Sequence, residues 1–175
     1  MWYIVNKIKK IAADNSIDIE GLPIFDPRSD EMEEKRNAYS ELFFQKRGRK
    51  GFNAYEAKKV MRDRNYFGCM MVEFGDADAM ISGLAKNYPD TIRPALQTIG
   101  TKEGVKKIAG MYLMLTKKGP LFLADTTVNF NPTAEELAEI TLLVAKEVKL
   151  FNIKPRIAML SYSNFGSSDS PEANL

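Results

Sequence analysis

The stretch GDADAMISGLAKNYPDTIRP, Gly75 to Pro94, decides the reading of this chain. Ala77-Asp78-Ala79-Met80-Ile81 is a short, mostly apolar run that predicts a buried strand, and Ser82-Gly83 ends it. Tyr88-Pro89-Asp90-Thr91 predicts a turn into a helix with Arg93 in its first turn. A strand that stops at Ser-Gly and a helix start that carries a cation together predict an anion site. Backbone N–H groups and a guanidinium both suit a phosphate.

Outward from this stretch, short apolar runs alternate with helical periodicity. Trp2–Val5, Leu22–Phe25, Leu121–Ala124 and Pro155–Leu160 read as strands. Residues 6–15 read as a helix with Ile8, Ile11 and Ala12 on one face. Ser29 is placed as the N-cap of a long helix reaching about Lys46, with Tyr39, Leu42 and Phe43 toward the core. Asn53 and Glu56 form a capping-box pattern for a helix to about Met61, and residues 65–73 read as a buried helix. Val105–Leu115 is apolar and interrupted by glycine, and its state stays open. Thr133 with Glu136 caps a last helix striped by Leu137, Ile140, Val144 and Val148. Strands alternating with helices predict an α/β fold: three α/β/α layers with mostly parallel sheets. Polar loops follow three of the runs, at Ser82-Gly83, Asp125-Thr126-Thr127 and Ser161-Tyr162-Ser163. Ligands of open α/β sheets bind at that edge.

Composition narrows the chemistry. The 175 residues are 45% hydrophobic and 27% charged, which is ordinary globular composition, and a net charge of +2 is too mild to imply nucleic acid. No apolar run approaches the ~20 residues needed to span a bilayer. A single cysteine forms no internal disulfide, so a cytoplasmic setting is expected. There is no histidine, which removes Ser-His-Asp and Cys-His nucleophiles and the usual His-containing zinc sites.

Several features carry two readings. Arg93 is an anion ligand or a solvated helix residue. Lys46, Arg47, Arg49 and Lys50 are a ligand cluster or cations placed against a helix C-terminus. Asp76 and Asp78 are a metal or acid–base pair, or, more commonly, a turn acid and an ion-pair partner. Cys69 lies in Phe67-Gly68-Cys69-Met70-Met71 and reads as packed core. The serine-rich loop from Ser161 to Ser170 is an anion nest or a plain loop.

GDADAMISG, YPDTIRPALQ, LFLADTTVN, PTAEELAEI and IAMLSYSNFGSSDSP resemble, in order, successive motifs of the phosphate acetyl/butyryltransferase family. The SNFGSSDSP ending resembles one branch, the C-terminal domain of bacterial hybrid NADP-dependent malic enzymes. The resemblance implies two α/β/α domains flanking a cleft. Residues 1–104 would be most of the first domain, and residues 105–175 the N-terminal part of the second, in a piece of a longer protein. It implies acyl transfer between coenzyme A and phosphate, or acetyl-CoA sensing and oligomerisation in a malic enzyme. By motif, Arg93 matches the arginine at the phosphate and acyl end, and Arg47 the one near the coenzyme A phosphates. Ser82, Thr91, Ser161 and Ser163 are placed as further contacts. The family's serine and proposed thiol base lie outside these residues, so this chain alone is expected to be inactive. The partners implied are acyl-CoA, phosphate and further copies of the chain. No metal, nucleic acid or membrane is expected.

Overall fold

Capping chemistry sets most of the helix boundaries. The structure is a computed structural model that describes residues 2–160. It contains helices α1 (Trp2–Asp14), α2 (Glu33–Arg47), α3 (Ala54–Val60), α4 (Arg64–Phe74), α5 (Tyr88–Thr98) and α6 (Ala134–Leu150). Strands β1 (Met111–Thr116) and β2 (Gly119–Ala124) lie between α5 and α6, and single 3-10 turns precede and follow α2. The predicted capping boxes form at both sites, Asn53 with Glu56 and Thr133 with Glu136. Asp63 caps α4 by accepting from the Asn65 and Tyr66 amides. Gly75 ends that helix in the left-handed region at φ 89°, where a side chain would be strained.

The fold is α/β, with six helices and a small sheet. Within that class several elements differ from the sequence expectation. Trp2–Val5 is the first part of helix α1 rather than a strand. Its β-branched and aromatic residues favour strands only where a partner strand exists, and here the helical period of residues 6–15 extends back through them. Residues 22–25, 77–81 and 155–160 form no ladder with any other described residue. The only sheet among the described residues is the antiparallel β1–β2 hairpin, not a parallel one, with Met111 opposite Ala124 and Thr116 opposite Gly119. Only Lys117 and Lys118 separate its strands, a loop that permits antiparallel pairing alone. Ser29 caps the 3-10 turn Asp30–Met32, not α2, and its hydroxyl makes no capping bond.

The chain divides into two compact units, Met1–Gly100 and Thr101–Leu175. The core of the first is Tyr39, Phe43, Ala57, Met61, Phe67 and Met70, supplied by α2, α3 and α4. Phe43 is fully buried and meets Phe52 and Tyr66 edge-on at 4.9 and 5.8 Å. These separations are those of favourable aromatic pairs. Asp76, just past the glycine cap of α4, pairs with Lys35 at 2.8 Å and accepts from the Tyr39 hydroxyl. Burial, then this bond to Asp76, pushes the Tyr39 hydroxyl pKa well up. Lys46 on α2 bridges to Glu73 on α4 and to the Thr98 carbonyl, 3.0 Å away at the end of α5.

The second unit is organised by one carboxylate. Asp125, directly after β2, accepts from the backbone amides of Gly110, Thr127, Val128 and Asn129. It thereby ties the chain entering β1 to the loop leaving β2. Partial burial pushes its pKa up, but the hydrogen bonds from Thr127, Gly110 and Asn129 outweigh this and bring it to about 2. Gly110 fits only because it lacks a Cβ, which would lie 2.2 Å from Thr127 Oγ1. Helix α6 buries Ile140 and Val148 from its predicted stripe, and Phe151 beyond it stacks on Phe122 of β2 at 5.4 Å.

Phe43→Ala should cost ~3–5 kcal/mol in urea unfolding, against little for the neighbouring, exposed Phe44→Ala; equal costs would place the core elsewhere. Asp125 has a lower pKa folded than unfolded. Its contribution is therefore complete above ~pH 4, the unfolded value, and fades as pH falls toward about 2. NMR titration of the Gly110 and Thr127 amides should show a midpoint near 2 rather than near 4. Asp125→Asn should flatten the acid limb of stability.

Candidate anion-binding site

Helix α5 begins at Tyr88, one residue after its N-cap Asn87, whose side chain accepts from the Asp90 amide. Arg93 therefore sits in the second turn, not the first, as the sequence had suggested. Helical side chains lean toward the N-terminus, so a long guanidinium from this position still serves the helix start.

Pro94 lies inside α5 and is buried. It has no N–H, so the Asp90 carbonyl one turn earlier loses its helical donor. Asn65 supplies the replacement. Its side-chain amide, on the first turn of α4, donates to the Asp90 carbonyl at 3.0 Å. The carbonyl end of the same side chain accepts from the Ser82 hydroxyl at 2.8 Å. One buried asparagine thus fixes both the helix that carries Arg93 and the Ser82 loop. Thr98, at the other end of α5, donates to the Pro94 carbonyl at 2.8 Å.

The two arginines singled out from the sequence act on one tyrosine. Arg47 lies in the last turn of α2, and its Nε is buried with no hydrogen-bond partner among the described residues. Arg93 is exposed and has no ion-pair partner among them. Tyr66 donates its hydroxyl to Gln97, also on α5. Burial pushes the Tyr66 pKa up, while the positive charges of Arg93 and Arg47 pull it down. Two guanidiniums with spare donors beside a half-buried phenol can clamp an anion. The rest of the basic cluster separates from them: Lys46 is used in bonds to Glu73 and Thr98, and Arg49 and Lys50 are exposed in the turn after α2.

Ser82 and Thr91 are less available than their positions suggest. Ser82 spends its proton on Asn65, and Thr91 donates to the Asn87 carbonyl at 3.2 Å. Ser161 and Ser163 lie outside the described residues. Asp76 and Asp78 do not share a site, since Asp76 is taken by Lys35 and Tyr39. Among the described residues no group of three acidic, histidine or cysteine side chains is placed to hold a metal. Cys69 is buried against Met80, its sulfur 3.3 Å from the thioether, and burial pushes its thiol pKa up. This is a packed cysteine, not a poised nucleophile. Among the described residues no helix is long and apolar enough to cross a membrane.

The sequence reading missed Asn65, Tyr66 and Gln97. A signal for Asn65 existed: a proline inside a predicted helix leaves a carbonyl that some side chain must satisfy. For Tyr66 and Gln97 no such signal exists.

The family described as phosphate acetyl/butaryl transferase matches residues 3–174. The chain is 42% identical over 169 residues to phosphate acetyltransferase of Bacillus subtilis, covering 95% of this chain and 50% of that protein. It is 38% identical over 151 residues to the NADP-dependent malic enzyme of Escherichia coli, covering 86% of this chain and 20% of that protein. The structure is similar to EutD phosphotransacetylase from Staphylococcus aureus, with a TM-score of 0.78 and 31% identity over 97% of this chain and 51% of the other. The chain spans half or less of the length of the curated relatives it matches.

The Asn65 bridge predicts a coupled pair of substitutions. Asn65→Ala should cost ~1–3 kcal/mol in chemical unfolding, because it strands the Asp90 carbonyl. Pro94→Ala restores an N–H one turn after Asp90, so Asn65→Ala should cost clearly less in that background. Additive costs in the double-mutant cycle would show that the carbonyl does not depend on Asn65.

Proposed function

Because the chain belongs to the phosphate acetyl/butaryl transferase family, we propose that its first unit binds the anionic groups of an acyl-CoA and phosphate. The reaction to be served is acyl transfer between the coenzyme A thiol and phosphate. An acyl phosphate carries about two negative charges that must be held, and its carbonyl oxygen gains charge as the thiolate attacks. The observation that carries the reading is the pair Arg47 and Arg93. Arg47 keeps a buried, unsatisfied donor, and Arg93 is exposed with no ion-pair partner among the described residues. Arg93 would clamp the phosphate at the acyl end, and Arg47 the phosphates of coenzyme A. Ser82 and Thr91 would add hydroxyl contacts. For Ser82 and Thr91 this means exchanging their present acceptors for the ligand or accepting from it. Thiolate would attack the acyl phosphate directly, with no covalent enzyme intermediate. The two units, divided between Gly100 and Thr101, would be parts of two domains of a cytoplasmic homo-oligomer.

A second reading has its own support. The similarity to NADP-dependent malic enzymes of Escherichia coli and Haemophilus influenzae supports a domain that senses acetyl-CoA without turning it over. Arsenolysis of acetyl-CoA separates the two when assayed on the protein as it occurs in its cell. Turnover refutes the sensing-only reading, whereas tight binding without turnover refutes the transferase.

Under either reading Arg93→Ala should weaken phosphate or acetyl-CoA binding by ~1.5–3 kcal/mol, the scale of a charged hydrogen bond. Titration calorimetry measures it, and an unchanged affinity would remove Arg93 from the site.

A further inference from the structure

A second cluster of cations lies in the first unit, and the function proposed above makes no use of it. Exposed Arg28, Lys59 and Arg62, with Asp63, line an open surface depression of about 410 Å³. Three of these four residues are cations. None of the three side chains has an ion pair or hydrogen bond among the described residues.

The single carboxylate in the depression is already occupied. Asp63 Oδ1 accepts from the Asn65 amide at 2.8 Å and the Tyr66 amide at 3.3 Å, capping α4. Its Oδ2 pairs with Lys86 at 2.6 Å. Partial burial raises the Asp63 pKa, but the bonds from Lys86, Asn65 and Tyr66 outweigh this and lower it, so the group stays an anion committed to those partners. Arg28, Lys59 and Arg62 keep their charges unneutralised around one space. Lys59 lies in the last turn of α3, where the helix dipole favours a cation, but Arg28 and Arg62 have no such role.

The backbone beneath these side chains is held in place. Buried Arg36 donates to the carbonyls on both sides of Arg28, to Pro27 at 3.0 Å and to Ser29. The Arg28 amide itself donates to Asp26 at 3.0 Å. The turn bearing Lys59 and Arg62 is closed by Arg62 N to Lys59 O at 3.2 Å and Asp63 N to Val60 O at 2.9 Å. Three long, exposed cations are thus carried on fixed backbone around one depression.

We infer that this depression is a second anion site, for a phosphate ester or pyrophosphate group. Its ligand is multiply charged, because a monoanion leaves two of the three cations uncompensated. Two arginines supply the forked donor geometry that matches phosphate oxygens.

The test is titration calorimetry of the 175-residue chain with inorganic pyrophosphate at low salt, with acetate as the monoanion comparison. Pyrophosphate should bind and acetate should not. Arg28→Gln and Arg62→Gln should each weaken pyrophosphate about tenfold, a typical effect of losing one charged contact. Arg93→Gln, which removes the first anion site, should leave one pyrophosphate site, and Arg28→Gln and Arg62→Gln should weaken that remaining site. Both tested side chains are exposed and unpartnered, so far-UV circular dichroism should be unchanged. Wild-type amide shifts across Lys59–Asp63 on adding pyrophosphate give a reading that needs no variant. The inference is overturned if pyrophosphate fails to bind, if Arg28→Gln and Arg62→Gln bind as the wild type does, or if Arg93→Gln alone abolishes binding.

Discussion

The first unit depends on a carbonyl that proline leaves unsatisfied. Pro94 removes the helical donor for the Asp90 carbonyl, which then needs another partner. Asn65 meets that need from a different helix, and in doing so it also holds the Ser82 loop. Thr98 returns a bond to Pro94, and the Thr98 carbonyl in turn receives Lys46 from α2. Three helices are thereby registered to one another through polar groups at the edge of an aromatic core. An apolar side chain at position 65 could fill the space, but it could not satisfy the Asp90 carbonyl or hold Ser82.

That registration gives the arginines their meaning. Arg47 ends α2 and Arg93 lies one turn into α5, far apart in sequence, yet the positive charge of each lowers the pKa of Tyr66 on α4 against the larger effect of its burial. A cation that finds no carboxylate on its own protein retains its donors for something else. Arg47 with Arg93, and Arg28 with Lys59 and Arg62, are two groups of such cations. Elsewhere lysines of the same helices are neutralised by Asp76, Asp63 and Glu73.

The second unit follows a different rule. Its hairpin is short, and much of β1 is exposed. What orders the segment is the carboxylate of Asp125, which gathers amides from both sides of the hairpin. A polar loop after a strand had suggested a ligand edge. The structure shows that much of its hydrogen-bonding capacity is turned inward on Asp125, with Thr126 Oγ1 left buried and without a partner among the described residues.

Local chemistry was legible in the residues alone. The capping boxes at Asn53 and Thr133, the buried faces of α2 and α6, the packed state of Cys69 and the α/β class all follow from side chains acting within a turn or two of their own backbone. The order of motifs also carried the family. Pairing across distance was not legible. Trp2–Val5 has strand-forming residues but lies in a helix, and the run at 77–81 has no ladder partner, because a strand exists only where another backbone offers its N–H and C=O groups. The Asn65 bridge, the meeting of Arg47 and Arg93 at Tyr66, and the depression between Arg28 and Arg62 were decided by tertiary structure. Each joins residues whose separation in sequence carries no information about their separation in space.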